Sequence, residues 1–323
     1  MNRPSRWAVL GLLALGCGSA PDEQVTLSFV GDILLDSKFG QALTRGEDRF
    51  AQTAALLDAD LSVGNLECPV ATNGAAVDKI YTFRAEPSTL PRLREYFDAV
   101  SVANNHSGDY GTAAFEETLT RLRGAGLPYF GGGHDSSQAH APLFLKKRGL
   151  TIALLGYDEF HPRSFEATPE RAGVAWVEEE QIVLDIARAR AAGAQLVLPF
   201  LHWGWENEFA PSVRQRELAR AMIDAGASAV IGAHPHVTQG VEMYRGKPIV
   251  YSLGNFAFDL LDRPENALGW QLRLVVDRHG VVSFSTTAIR IDVEGTPFPA
   301  PDVATPCGAR GARSVSPCRN SLR

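Results

Sequence analysis

The stretch Ala229-Val230-Ile231-Gly232-Ala233-His234-Pro235-His236-Val237 joins a short apolar run to two histidines at positions i and i+2. The run has the length and β-branched content of a buried strand. Gly232 lets the backbone turn at the strand's end, where α/β sheets place their ligands. Residues two apart in an extended segment share a side, and Pro235 restricts His234 to extended backbone. The pair is therefore expected to present two imidazoles to one point. Imidazole suits zinc, iron, manganese or nickel, but two histidines do not complete a site. In isolation a pair of exposed loop histidines reads the same way.

Working outward, the same design recurs along the chain. Val25 to Leu35 reads as a strand with Asp32 near its end, and Leu61 to Leu66 runs into Glu67. Phe97 to Ala103 leads into Asn104-Asn105-His106, and Gln195 to Leu201 ends at His202. Each of these residues alone reads equally well as a turn or helix-capping group. Taken together, carboxylates, an amide and imidazoles at separate strand ends suit one or two hard-to-borderline divalent metals, with manganese, zinc and iron the candidates. Glu67 has the chemistry to bridge two ions roughly 3.5–4 Å apart, the arrangement that activates water and clamps a phosphate. Arg84 is a candidate for an anionic substrate, since guanidinium binds carboxylate or phosphate in a fork; an exposed salt bridge is its alternative.

Between these strands lie helical patterns near residues 89–96, 113–123, 178–192 and 212–225. Trp270 to Ile291 alternates in period two around Asp277-Arg278-His279-Gly280, a hairpin signal. Strands alternating with helices and followed by a hairpin predict one α/β domain with an antiparallel addition, spanning 25–294. Residues 295–323, rich in Pro, Gly, Ser and Arg, are expected to be a poorly ordered tail. The region from Asp158 to Trp176 reads as a polar loop bordering the site.

The 323 residues carry a formal charge of −6, with 45% hydrophobic and 21% charged residues, as in ordinary globular proteins. No basic run or basic stretch interleaved with aromatics occurs, so nucleic acid is not an expected partner. At the N-terminus, Arg3 and Arg6 precede the apolar run Trp7 to Leu15, too short to span a bilayer and suited to a signal peptide over 1–16. Ala14-Leu15-Gly16-Cys17 resembles a bacterial lipobox, with alanine in place of the usual leucine. This predicts an exported protein anchored through a lipid on Cys17 by a polar tether, 17–24; an ordinary cleaved signal predicts secretion instead. Outside the cytoplasm disulfides persist, and Cys307 with Cys318 are positioned to close a small loop. Cys68 is then a free thiol, and the absence of CxxC spacing argues against a cysteine-zinc site.

The segments FVGDILLD, NLECPV, FRAEP, VANNHSGDYG, LHWGWENE, GAHPHVTQGVE and YSLGNFAFD, in this order, resemble the CapA family of capsule and poly-γ-glutamate synthesis proteins from about residue 25 to 259. That family is a divergent branch of the calcineurin-like metallophosphoesterases. The resemblance implies an α/β sandwich of two mixed β-sheets flanked by helices, with metals at the strand ends, to which the period-two pattern adds a C-terminal β-hairpin. It implies metal-ligand roles for Asp32, Glu67, Asn105, His202, His234 and His236. It gives His106 and His236 the catalytic positions, His106 as acid or phosphate binder. Arg84, Asn104 and Glu206 become candidates for contact with substrate. Two departures stand out: Leu34 occupies the histidine position of the superfamily's Asp-x-His, and Ala233 replaces a histidine frequent in the family.

Two functions fit. One is a metal-dependent hydrolase or transferase acting on a phosphoester or amide bond. The other is a non-catalytic, lipid-anchored subunit or polymer-binding module on a relic phosphatase fold. Both place the chain with the envelope machinery that makes or exports an anionic polymer.

Overall fold

A computed structural model describes residues 23–318, and the leader, Cys17 and most of the tether lie outside them. The first strands build half of one sheet: β1 (Val25–Ile33), β2 (Leu61–Leu66), β3 (Ala99–Ser101) and β4 (Tyr129–Phe130). They pair in parallel in that order. β5 (Gly132–Gly133) departs to pair with the later β8 (Gly173–Val174). A second, six-stranded sheet is built from β6 (Leu143–Lys147), β7 (Leu150–Asp158), β9 (Leu196–His202), β10 (Val230–Ala233), β11 (Thr238–Tyr244) and β12 (Lys247–Leu253), in the order β11-β12-β10-β9-β7-β6. The chain then returns to the first sheet with β13 (Asn255–Ala257) beside β1, and the long hairpin β14 (Leu268–Asp277) and β15 (Gly280–Ile291).

Each sheet buries two faces, and the sequence shows why. In β1, Val25, Leu27 and Phe29 point between the sheets, where they meet Ile152, Leu198, Phe200 and Val250. The outer face of the first sheet packs on α1 (Ser37–Thr44), α2 (Ala54–Leu57), α3 (Leu90–Tyr96) and α4 (Gly111–Gly124) through Phe39, Leu57, Leu93, Phe115 and Leu119. Past the short α5 (Ser136–Ala139), α6 (Glu179–Ala191) and α7 (Val213–Asp224) cover the second sheet with Ile182, Ile186, Leu218 and Met222. The result is helix, sheet, sheet, helix: two mixed sheets flanked by helices, with the hairpin expected from the period-two pattern.

The tail differs from expectation. β14 and β15 extend the sheet to β16 (Pro297–Pro299), β17 (Pro306–Ala309) and β18 (Ser316–Pro317). Cys307 and Cys318 are joined by a disulfide. Its Pro/Gly-rich composition gives no periodicity, yet backbone pairing to β15 needs none, and Arg310 forks onto Asp277 at 2.6 and 3.0 Å. Cys68 is a buried free thiol. Among the described residues no helix is long and apolar enough to cross a membrane.

The parallel strands matter most for function. β1, β2 and β3 of one sheet and β7, β9, β10 and β12 of the other run in parallel within their sheets. Their C-terminal ends bring residues from both sheets to one edge of the sandwich.

Candidate metal centre

Asp32 is placed there by a close backbone approach. A Cβ on Gly31 would lie 1.8 Å from the Gly254 carbonyl oxygen, so only glycine permits the contact. The Asp32 N–H donates to that same oxygen at 3.1 Å, and the β1–β2 register shifts between Phe29 and Asp32. The irregularity brings the fully buried Asp32 carboxylate among groups from both sheets. Asn65 Nδ2 donates to Asp32 Oδ1 at 2.8 Å and lies 3.2 Å from His202 Nδ1. His236 Nδ1 is 3.4 Å from Asp32 Oδ2.

His202 is the hub. Its Nε2 is 2.8 Å from Asn105 Oδ1, 3.0 Å from His234 Nδ1 and 3.5 Å from Glu67 Oε1. Two imidazole nitrogens in contact are satisfied only by a shared proton or a shared cation. Asp32, Glu67 and His202 offer ligand atoms within 4.8 Å of one another, and so do Glu67, His234 and His236. Glu67 belongs to both groups, the bridging position.

The electrostatics are unbalanced. Asp32 and Glu67 are both 0% exposed, and their ion-pair partners are histidines at 3.4–3.9 Å. Burial, reinforced by the Asp32 charge, pushes the Glu67 carboxyl well above its usual range. Burial holds the His202 and His234 imidazoles well below theirs, and the neighbouring histidines add to the effect. For His236 burial acts downward too, but the Glu67 and Asp32 carboxylates outweigh it and raise its pKa to about 10. Both Glu67 carboxylate oxygens and His234 Nε2 are buried with no hydrogen-bond partner. Buried polar atoms are nearly always paired, so three orphaned atoms, two of them carboxylate oxygens, call for a bound group that takes up their lone pairs. The oxygen and imidazole donors fit a divalent metal of the manganese, iron or zinc type.

The paired histidines converge, but not as an extended segment. β10 ends at Ala233, and His234 and His236 take positive φ values of 98° and 56°. The restriction expected from Pro235 is overridden by tertiary contacts, because the His234 N–H donates to Asp32 Oδ2 at 3.3 Å and His236 Nδ1 lies 2.8 Å from Asn255 Oδ1. Gly232 makes no turn. It lies within β10, where a Cβ would meet the Tyr251 carbonyl oxygen at 2.1 Å and the Trp203 indole at 2.4 Å.

The remaining candidates divide. His106 stands beside the cluster: its Nδ1 pairs with the fully buried Asp109 at 2.7 Å, and its ring lies 4.4 Å from that of Phe83. Burial lowers its pKa against the pull of Asp109. Lys79 Nζ reaches the other Asp109 oxygen at 2.6 Å and the Asn105 carbonyl at 3.0 Å. Glu206 is exposed and shares a depression with His106 and His236. Asn104 is fully buried, and its amide donates to Asn65 Oδ1 and the Leu66 carbonyl, so it braces β2 and is withdrawn from substrate. Arg84 lies over the Tyr110 ring, 4.2 Å from its centroid, and donates to the Asn73 carbonyl, partners outside the cluster. The sequence reading gives no role to Asn65, Asp109 or Asn255. Asn65 and Asn255 share the signal that marked the others, a polar residue at the end of an apolar strand. The loop from Asp158 does border the site: the Phe160 ring lies 5.1 Å from that of His234.

The profile of the bacterial capsule synthesis protein family PGA_cap matches residues 26–260. The chain is 34% identical over 289 residues to the PGA biosynthesis protein CapA of Bacillus subtilis (strain 168), a match covering 86% of this chain and 74% of that one. It is 32% identical over 249 residues to the capsule biosynthesis protein CapA of Bacillus anthracis, covering 74% and 61% respectively, so part of each relative lies outside the match. Its fold is similar to that of a hypothetical protein from Thermus thermophilus solved by crystallography, with a TM-score of 0.52, 17% identity, and 81% and 98% of the two chains covered.

Proposed function

The chain belongs to the PGA_cap family of bacterial capsule synthesis proteins, and from that premise we propose that it is a metal-dependent hydrolase or transferase of envelope polymer synthesis or export. The observation that carries this reading is the set of orphaned, buried donors: both Glu67 oxygens and His234 Nε2. Asp32, Glu67, Asn105, His202, His234 and His236 would hold one or two divalent ions. Such ions supply an activated water and positive charge against a developing oxyanion.

The protein's own groups do the rest. Asp109 holds the Nδ1 side of His106, which fixes the ring's orientation and leaves Nε2 to face the depression shared with His236 and Glu206. His106 is placed to assist a leaving group, a role that requires its protonated form against the lowering effect of burial. Asn65 and Asn255 fix the rings of His202 and His236 from behind, the orienting contacts that metal-binding imidazoles need. A γ-glutamyl amide or a phosphoester is the bond proposed to break. Export, and anchoring through a lipid on Cys17, complete the proposal on the strength of the leader-like N-terminus.

One observation favours the alternative, a non-catalytic anchored subunit. Leu34, at the histidine position of Asp-x-His, is wholly buried in the core and offers no ligand. Metal content per chain decides. Near-stoichiometric manganese, zinc or iron in the wild type, lost in His202→Ala/His234→Ala, upholds the metal-centre reading. A folded wild type that takes up none of these metals when supplied with them overturns it.

A further inference from the structure

We propose that the depression beside the centre selects substrates whose leaving group carries an ammonium, through Glu206 and Asp262. The inference rests on the hydrolase reading above and narrows it. The depression measures about 40 Å³, room for one small group. His106 and His236 are part of its wall. The orphaned, wholly buried Glu67 carboxylate stands behind that wall, its Oε1 3.9 Å from His236 Nε2. His106, placed to assist a leaving group, fixes which part of a substrate lies in the depression: the part that departs.

The remaining walls suit a cation. Phe83 and Phe258 back the rings of His106 and His236 at 4.4 and 4.9 Å, and their own rings stand 6.4 Å apart at 87°. Tyr81, half-exposed, stacks on Phe83 at 6.4 Å and extends the aromatic surface outward. Aromatic rings set at right angles around a small space attract an ammonium to their faces. Glu206 and Asp262 complete the lining, both exposed and neither carboxylate in a hydrogen bond or ion pair among the described residues. Among those residues no lysine or arginine lines the depression. Lys79 is engaged by Asp109 at 2.6 Å, and His236 faces its own carboxylates, Asp32 and Glu67. A carboxylate or phosphate on the leaving group would meet like charge there, whereas an ammonium meets two carboxylates and three rings. The substrate class is then a phosphoester of an amino alcohol. Hydrolysis adds the hydroxyl of water to phosphorus and breaks the P–O bond to that alcohol. The departing oxygen takes a proton from His106, which regains one from the water.

The test titrates manganese-loaded full-length protein in a calorimeter with a pair of phosphonates of equal length, 3-aminopropylphosphonate and butylphosphonate, whose C–P bonds resist hydrolysis. Manganese content is measured on the same samples. The amino compound is expected to bind about tenfold more tightly, a difference of roughly 1.4 kcal/mol that shrinks as salt is raised. Glu206→Gln/Asp262→Asn is expected to remove that gain while butylphosphonate affinity, manganese content and melting temperature stay as they were. Equal affinity for the two compounds, or a gain that survives the double variant, overturns the inference and leaves the hydrolase reading standing. If manganese is held but neither phosphonate binds, the phosphoester reading falls and takes this inference with it. If no manganese is held, the metal-centre reading falls, and the inference falls with it.

Discussion

The cluster around Asp185 and the one around Glu67 both pair histidine with a buried carboxylate, and they differ in how far the protein satisfies that carboxylate. Asp185, on α6, is 2% exposed and fully engaged: it lies 2.8 Å from His140 Nδ1 and accepts from the Tyr157 hydroxyl at 3.1 Å and from Gln181 Nε2 at 2.7 Å. That cluster ties the end of α5 to α6 and β7. Glu67, wholly buried at the strand ends, has no hydrogen bond at either oxygen. The residue types are the same, so composition does not tell a structural tie from a binding site. Whether the protein satisfies its own polar atoms does.

That contrast is open to attack. The largest expected effect is on metal: His202→Ala/His234→Ala should take metal content from near-stoichiometric to none, while Asp185→Ala leaves it unchanged. If the ion is present at about a hundred times its Kd, it adds roughly 2.7 kcal/mol and several degrees to the melting temperature of the wild type. Stability should then move in opposite directions at the two carboxylates. Asp185→Ala leaves three donors without their acceptor and should cost about 2–4 kcal/mol in a denaturant titration. Glu67→Gln replaces the buried carboxyl by a neutral amide and removes the cost of ionising it, so it should stabilise the metal-stripped protein by about 1–3 kcal/mol at alkaline pH. A loss of stability there would mean that Glu67 is already satisfied by the protein.

A pH series sharpens the same point. The folded pKa values of His236, about 10, and of Glu67 lie above their ordinary ones, so the folded chain holds more protons than the unfolded chain at neutral to alkaline pH. Stability of the metal-stripped protein should fall as pH rises from about 7 to 10, because the native state is the more protonated. His202 and His234, shifted the other way, act only below their ordinary imidazole value. A melting temperature flat across that range would contradict the assignment. The smallest effect belongs to Arg84→Ala, within about 0.5 kcal/mol and without change in metal content.

The layers and most of the centre are legible in the sequence because both depend on local pattern. Apolar runs end in Asp32, Glu67, Asn105, His202 and His234 whatever the tertiary detail. The rest depends on what packs against what. Nothing local to Pro235 says that the contacts of His234 and His236 will hold both in left-handed backbone. Nothing near Asn104 says that it, and not Asn105, turns inward to brace β2. The tail escapes a sequence reading because strands held by backbone pairing to a neighbour carry no periodicity of their own.

β1 is the feature with the longest reach. It runs from Val25 to the cluster edge at Asp32 and Ile33, a rod of ~30 Å at about 3.3 Å per residue. Val25 lies at one pole and the buried cluster around Asp32 at the other. A hold on the chain upstream of Val25 would therefore act as a stalk, with the pole that carries Asp32 and its neighbours turned away from the point of attachment.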